Sequence, residues 1–328
     1  MGQALAAAAV SRRRVAPRPW VGAVVVPADD PAHPGFTGAT DGRTGPHAEI
    51  VALAAAGDAA RGGTLYVTLE PCSHHGLTPP CADAVIAAGV DRVVVALTDP
   101  DPKVAGTGLD RLRAAGIEVE IGIGATAAAE QLAPYLHHRR TGRPYVVLKL
   151  AASLDGRTAA PDGTSRWITG ESARLDAHRL RADSDAILVG AGTVRADDPS
   201  LTVRLPDGER GVDDTEPRRV VLGRAPEGAA VHPCTELEGD LGVVLDELGA
   251  DGVLQLMVEG GAGVAHAFHT AGLVDRYVLY VAPVLFGGDD ARGLFAGPGA
   301  ATIDDVWRGR IVSLRHLGDD LRLDLEGS

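Results

Sequence analysis

The segment Gly45-Pro46-His47-Ala48-Glu49, followed by Leu69-Glu70-Pro71-Cys72 and then Pro79-Pro80-Cys81, decides the reading of this chain. One histidine and two cysteines are the three protein ligands of a catalytic zinc, with a fourth position left for water. Two thiolates offset the ion's charge, and water held there ionises near neutral pH. His47 opens a helix predicted over His47–Ala56. Cys81 opens another over Cys81–Ala88, behind two prolines suited to a first helical turn. Two positive helix ends would then face the metal and favour thiolate over thiol. Cys72 lies just past a strand predicted over Thr64–Leu69. Glu49 sits two residues after His47, off that residue's face of the helix, so it can address water rather than metal. A carboxylate there can take a proton from water and pass it to a departing amine. Taken singly, His47 reads as a helix-capping or surface residue, and either cysteine as a small core residue. A structural zinc would need a fourth ligand, such as His74 or His75.

The rest of the chain sets the frame. Its 328 residues exceed what one core usually serves, so two domains are expected. Aromatics are only 4%, so the cores must be built from Ala, Val, Leu and Ile. A net charge of −13 repels phosphate backbones and argues against a nucleic-acid partner. The short run Arg12-Arg13-Arg14 reads as a solvated turn. Three cysteines, an odd count, do not make a disulfide framework and fit a reducing cytoplasm. No apolar run approaches the ~20 residues of a membrane span. Met1–Val10 has no basic residue before its apolar stretch, so it reads as an amphipathic helix rather than a signal peptide. Of 31 basic side chains only Lys103 and Lys149 are lysines, and Lys149 sits in the middle of an apolar strand.

Periodicity places strands at Trp20–Val26, Arg92–Leu97 and Ile117–Ile121, and helices at Leu109–Ala115 and Thr126–Arg140. Strands alternating with helices imply crossovers and a largely parallel sheet. Thr141-Gly142-Arg143-Pro144 breaks the pattern, dividing the chain into domains 1–143 and 144–328. In the second half, strands are read at Tyr145–Ala151, Ala186–Val189, Arg219–Leu222, Val253–Val258 and Tyr277–Ala282. Helices are read at Ser172–Ala182 and from Gly260-Gly261 to Ala271. Ile311–Glu326 reads as a hairpin turning at Gly318-Asp319-Asp320. A phosphorylated ligand needs cations, which Arg181 and Arg204 can supply. Lys149 would be rejected by a pure core position and is expected to face a cavity. Glu259 ends a strand, where ligands gather in α/β sheets. Gly260, Gly261 and Gly263 could cradle a dinucleotide phosphate at a helix start, although a plain helix-start turn has the same look.

The order His-Ala-Glu then Pro-Cys matches the zinc-deaminase signature, with eight residues between the cysteines instead of two. With Thr68–Gly76, Thr78–Cys81, Asp99-Pro100-Asp101-Pro102 and Val104-Ala105-Gly106, the chain resembles the riboflavin-biosynthesis bifunctional deaminase–reductase family. The likeness runs on through Leu148–Gly156, Ser165–Thr169, Val189–Thr193, Ala196–Pro199 and Val258–Gly261. The resemblance implies an α/β protein with an N-terminal cytidine-deaminase-like three-layer domain and a C-terminal dihydrofolate-reductase-like domain. It implies Zn2+ and NADPH as cofactors. The first domain would remove an exocyclic amine from a diaminopyrimidinone bearing phosphoribosylamine, and the second would reduce the ribosyl group to ribityl. It places Ala152, Trp167, Thr193, Asp197 and the turn Gly261-Ala262-Gly263 at the NADPH site. Lys149, Ser165, Arg181, Leu201, Arg204 and Glu259 would line the substrate site. The partner expected is a small phosphorylated pyrimidine, with no nucleic acid and no membrane, in a homo-oligomer.

Three departures from the family pattern stand out. Pro17-Arg18-Pro19 replaces the usual Pro-Asn-Pro, whose Asn touches substrate. Leu77 stands where the family often has a basic residue, so one cation is lost and another gained. Only 37 positions separate Leu222 from Glu259, and the stretch from about 223 to 253 looks short and loop-like, as though a strand–helix–strand unit were missing. The alternative is therefore a deaminase-only enzyme whose second domain serves assembly or substrate capture. A non-catalytic zinc protein and a nucleic-acid deaminase are further readings, opposed by Glu49 and by the acidic charge respectively. Cys234 is expected to be a bystander.

Overall fold

A computed structural model describes residues 1–30, 32–74, 79–102, 104–211 and 214–327. His75, Leu77 and Lys103 fall outside that set. The chain forms two compact units, Met1–Gly142 and Arg143–Ser328.

The first unit begins with α1 (Gly2–Val15), whose buried Ala4, Ala8, Ser11 and Val15 recur at helical spacing and form one face. That face meets β1 (Gly22–Val26), where a side chain at Gly22 would come within 1.8 Å of the Ala4 carbonyl oxygen. β2 (Phe36–Ala39), α2 (Ala48–Ala56), β3 (Thr64–Val67), α3 (Cys81–Ala88), β4 (Arg92–Val95), α4 (Thr107–Ala114) and β5 (Glu118–Ile121) follow, then α5 (Ala125–Gln131) and α6 (Ala133–Thr141). The sheet order is β2-β1-β3-β4-β5. The β3, β4 and β5 strands run parallel, joined by crossover helices, but β1 is antiparallel to both its neighbours. The expectation of a largely parallel sheet therefore holds for only part of it, because no helix separates β1 from β2. Two sets of helices complete three layers: α2, α3 and α4 pack in series, as do α1, α5 and α6.

Local differences from the sequence reading have physical causes. Arg12–Arg14 form the last turn of α1 rather than a solvated turn, and the Arg12 guanidinium lies 3.9 Å from the Trp20 ring centroid. The helix expected over Thr126–Arg140 is two, because Pro134 in the first turn of α6 has no N–H to continue the ladder of α5. β2 escaped notice because Phe-Thr-Gly-Ala carries little apolar signal. Its Gly38 is needed for close approach to α2, since a Cβ there would sit 2.3 Å from the Ala48 carbonyl oxygen.

The second unit runs β6 (Tyr145–Ser153), β7 (Arg157–Ala159), α7 (Glu171–Ala182), β8 (Ala186–Gly190), α8 (Ala191–Asp197), β9 (Arg218–Leu222), β10 (Thr235–Leu237), α9 (Leu241–Ala250) and β11 (Gln255–Val258). It ends with α10 (Ala262–Thr270), β12 (Arg276–Ala282), β13 (Arg292–Gly293), β14 (Gly309–Leu317) and β15 (Asp320–Gly327). Eight strands form one sheet in the order β10-β9-β8-β11-β6-β12-β15-β14, parallel from β10 through β12. The antiparallel β14–β15 hairpin closes one edge. Leu148, Leu188, Val220, Leu256 and Val258 from the central strands meet Leu245, Leu248 and Phe268 from the helices in the core.

Residues 223–253 are irregular over more than half their length, as the loop-like sequence implies, but not throughout. They hold β10 and the ten-residue α9. Asp240 caps α9, accepting hydrogen bonds from the N–H groups of Gly242 at 2.8 Å and Val243 at 3.2 Å. Val244, Leu245 and Leu248 bury its apolar face. Pro226, Gly228, Pro233 and Gly239 crowd this region with turn formers and mask the helix that follows them. Among the described residues, no helix is long and apolar enough to cross a membrane.

Candidate functional site

In the first unit, His47 is the N-cap of α2, in extended backbone conformation, and Cys81 is the first residue of α3. The two prolines precede α3 rather than entering its first turn, Pro80 serving as its N-cap. Cys72 follows β3 and is tied to α3: its Sγ accepts from the Cys81 N–H at 3.4 Å and its carbonyl from Ala82 N–H at 3.1 Å. His47 Nδ1 lies 3.6 Å from Cys72 Sγ and 3.1 Å from Cys81 Sγ. All three ligand atoms fall within 4.8 Å of one another. Zinc–sulfur and zinc–nitrogen bonds of ordinary length at a tetrahedral angle separate the N and S atoms by about 3.6 Å. The cluster therefore fits zinc. His74 is not part of it among the described residues, which removes one fourth ligand of a structural site.

The charges are already arranged for a cation. A hydrogen bond from the Cys81 thiol, the His47 ring and the Cys81 N–H hold the Cys72 thiol down at about 4. Cys81, bonded to that thiolate and buried, is pushed upward. The hydrogen bond with Cys72 raises His47. Glu49, in the first turn of α2, is 3% exposed, and burial raises its carboxyl against the opposing pull of His47. A carboxyl that holds a proton more readily than usual is suited to shuttling one.

A cavity of about 280 Å³ opens onto these residues, lined also by Arg18, Thr40, Asp99, Tyr135 and Arg139. Its wall depends on Glu70, whose role the sequence reading did not foresee. The buried Glu70 carboxylate accepts from the N–H groups of Asp99, Gly106, Gly108 and Leu109 at 3.0–3.4 Å. Gly108 presses so closely on the Pro71 carbonyl oxygen that a Cβ would lie 1.9 Å from it. The Asp99 carboxylate in turn accepts from the Tyr135 hydroxyl at 3.0 Å.

The second unit has its own cavity, about 410 Å³, lined by Lys149, Trp167, Arg174, His178, Arg181, Arg204, Glu259 and Tyr280 among others. Lys149 comes from the middle of β6, Glu259 from the end of β11 and Tyr280 from β12, three adjacent strands. Glu259, its side chain 7% exposed, holds Lys149 Nζ at 3.3 Å and Arg181 Nη2 at 2.7 Å. Burial would raise its carboxyl, but Lys149 and Arg181 more than offset that and keep it below the ordinary value. Arg181 also donates to the Thr202 carbonyl at 3.1 Å.

With both centres in place, the chain can be compared with known proteins. Residues 144–323 match the RibD C-terminal domain and residues 1–97 the cytidine and deoxycytidylate deaminase zinc-binding region. The riboflavin biosynthesis protein RibD of Escherichia coli K12 is 41% identical over 366 residues, covering 100% of this chain and 98% of its own. The chain belongs to the RibD family. Form 1 of RibD from Acinetobacter baumannii superposes with a TM-score of 0.92 at 39% identity, covering 100% of this chain and 97% of that one. A Thermotoga maritima diaminohydroxyphosphoribosylaminopyrimidine deaminase/5-amino-6-(5-phosphoribosylamino)uracil reductase gives 0.87 at 31% identity, covering 100% and 97%. As a RibD-family protein the chain is a bifunctional enzyme with a zinc-binding deaminase domain and a reductase domain of the NADPH-dependent type. Matches across the whole second unit disfavour the deaminase-only alternative. The alignment to the Escherichia coli RibD exceeds this chain's 328 residues by 38 positions, so the relative carries segments that this chain lacks.

The reductase residues expected from the resemblance fall into three groups. Lys149, Arg181, Arg204, Glu259 and Trp167 line the 410 Å³ cavity. Trp167, 68% exposed, also borders a neighbouring cavity of about 260 Å³ lined by Ser165. The Thr193 hydroxyl accepts from the Gly261 N–H at 3.0 Å, joining the start of α10 to α8, with Ala262 and Gly263 in the first turn of α10. A Cβ at Gly263 would meet nothing within 4 Å, which leaves room for a phosphate at that helix start. Ala152, Asp197 and Leu201 line neither cavity. Ala152 is buried within β6, Leu201 is buried with a φ of 52°, and the Asp197 carbonyl accepts from Arg166.

His178, Arg174 and Tyr280 were missed because their partners are distant in sequence. His178 Nδ1 accepts from the Arg204 N–H at 3.3 Å. Burial, then the charges of Arg181 and Arg204, push the ring down to about 4. A ring whose folded value lies below its ordinary 6.5 stays neutral in the native state while the unfolded chain takes up the proton. Stability present above pH 6.5 is therefore lost as pH falls from 6.5 towards 4. Replacing His178 with Gln is expected to flatten that part of a stability-against-pH profile. A profile that keeps its acid slope in the variant would exclude His178 as the source.

Proposed function

We propose that this chain deaminates a diaminopyrimidinone bearing ribosylamine 5-phosphate at the His47–Cys72–Cys81 centre and then reduces the product's ribosyl group to ribityl with NADPH. The observation that carries the reading is the zinc-shaped triad with the buried carboxylate of Glu49 beside it. Zinc held by the triad would supply a Lewis acid that acidifies water to near neutrality. Glu49 would move a proton from the attacking water to the leaving amine, so that ammonia departs as a neutral molecule. Asp99, fixed by Tyr135, and Thr40 line the space in which the pyrimidine lies.

In the second unit NADPH supplies the hydride, with its phosphates at the Gly261-Ala262-Gly263 turn beside Thr193 and its remaining contacts from Ala152, Trp167 and Asp197. Lys149 and Arg181, held on Glu259, and Arg204, held by its backbone on His178, present cations to the phosphorylated sugar. Ser165 and Leu201 complete the substrate contacts. The acidic chain and its free cysteines support a cytoplasmic enzyme that acts on small molecules rather than nucleic acid, and assembly as a homo-oligomer is part of the same reading.

The test separates the halves. Purified protein given the diamino precursor should release ammonia, and given the deaminated intermediate with NADPH it should consume the cofactor steadily. Ammonia release without NADPH consumption would sink the reductase half, and the converse would sink the deaminase half.

A further inference from the structure

The cavity of the first unit contains one cation with no carboxylate paired to it at contact distance among the described residues. Arg139 lies against Asp101, with Nε 3.7 Å from the carboxylate, and donates to the Pro17 carbonyl. Arg18 has no carboxylate at ion-pair distance among the described residues. Its Nη1 donates to two neutral carbonyls, Gly42 at 3.2 Å and Gly45 at 2.9 Å. Two carbonyls use both hydrogens of Nη1, and the Nε–Nη2 edge of the guanidinium makes no hydrogen bond to the described residues. That edge is the fork that grips a phosphate or carboxylate through two parallel bonds. The side chain is part-buried, and burial works against its charge. The charges of Cys81, Cys72 and Glu49 offset part of that burial, but none of them occupies the fork itself, and an anion from a ligand would.

We propose that Arg18 is the residue that grips the substrate's phosphate in the deaminase cavity, through the Nε–Nη2 edge that the described residues leave open. The proposal rests on the deaminase reading above. It adds a structural link: Gly45, which Arg18 holds, lies two residues before His47. A phosphate on Arg18 would therefore steady the turn that carries a metal ligand, which makes Arg18 both a specificity-determining and a positioning residue.

The experiment uses the full, zinc-loaded chain and an Arg18→Gln variant, with Arg18→Lys as the conservative partner. Deamination is followed on the phosphorylated substrate and on its dephosphorylated counterpart, with zinc content measured alongside. The preference for the phosphorylated compound, as a ratio of kcat/KM values, should fall about 10- to 100-fold in Arg18→Gln, mainly through KM, the loss expected for a charge-assisted fork. Arg18→Lys should recover part of it. A ratio that stays the same overturns the proposal, whether both activities persist or both fall together with zinc. A second readout does not depend on turnover. In chain labelled with ¹⁵N-arginine, the Nε resonance that disappears in Arg18→Gln should shift when inorganic phosphate is added. No shift overturns the proposal even if the enzyme proves inactive as a deaminase. A shift in protein that releases no ammonia would leave Arg18 as an anion site and retire the deaminase reading alone.

Discussion

Glu49→Gln should lower the rate of ammonia release by about 10²–10⁴-fold, the span typical of a lost general acid–base group. Zinc should remain at one ion per chain, because Glu49 is not among the three clustered ligands. Glutamine keeps the shape and cannot carry the proton, so the loss should fall on kcat far more than on KM. NADPH consumption from the deaminated intermediate should be untouched, since the second unit has its own cavity. The measurement is paired: ammonia release and zinc content on the same preparation. Near-normal ammonia release would remove Glu49 from the chemistry, while loss of zinc would recast it as part of the metal site's structure.

The second large effect is expected at Glu259. Its carboxylate is the anion between Lys149 and Arg181. Removing one member of a buried ionic cluster leaves the rest uncompensated and typically costs about 3–5 kcal/mol. Lys149 and Arg181 keep some exposure, with side chains 21% and 16% accessible, which places the expected loss near the lower end. For a unit of this size, about 3 kcal/mol corresponds to roughly 6–12 °C in Tm. Glu259→Gln should therefore lower one calorimetric transition by that amount and abolish NADPH consumption, with ammonia release preserved. A variant that melts at the wild-type temperature would show that the two cations find water or each other tolerable.

The metal centre was legible in the sequence because its ligands sit at helix starts and a strand end that short-range rules identify. His47, Cys72 and Cys81 needed no long-range information beyond the alternation of strands and helices. Lys149 was legible for the opposite reason, as a charge in a run where a charge does not belong. What escaped were relations rather than residues. Nothing local says that Arg181 and Lys149 share Glu259, or that His178 holds Arg204, since those pairs are made by strand order and helix docking. The helix α9 was hidden by the turn formers before it, although Val244, Leu245 and Leu248 have helical spacing. Arg18 stood out as a departure from a motif, but its open guanidinium edge exists only in three dimensions.

Glu70 gathers four backbone N–H groups onto one carboxylate, Asp99 and Gly106 from the loop between β4 and α4 and Gly108 and Leu109 from the first turn of α4, and it immediately precedes Pro71 and Cys72. The loop cannot come away without leaving that carboxylate unsolvated, and Gly108 has no room to slide past Pro71. Loop order and the placement of a sulfur ligand are thus one cooperative unit of local stability. Amide hydrogens of residues 106–109 should then open together with the segment that bears Cys72, making the loop a reporter of how firmly the metal is held.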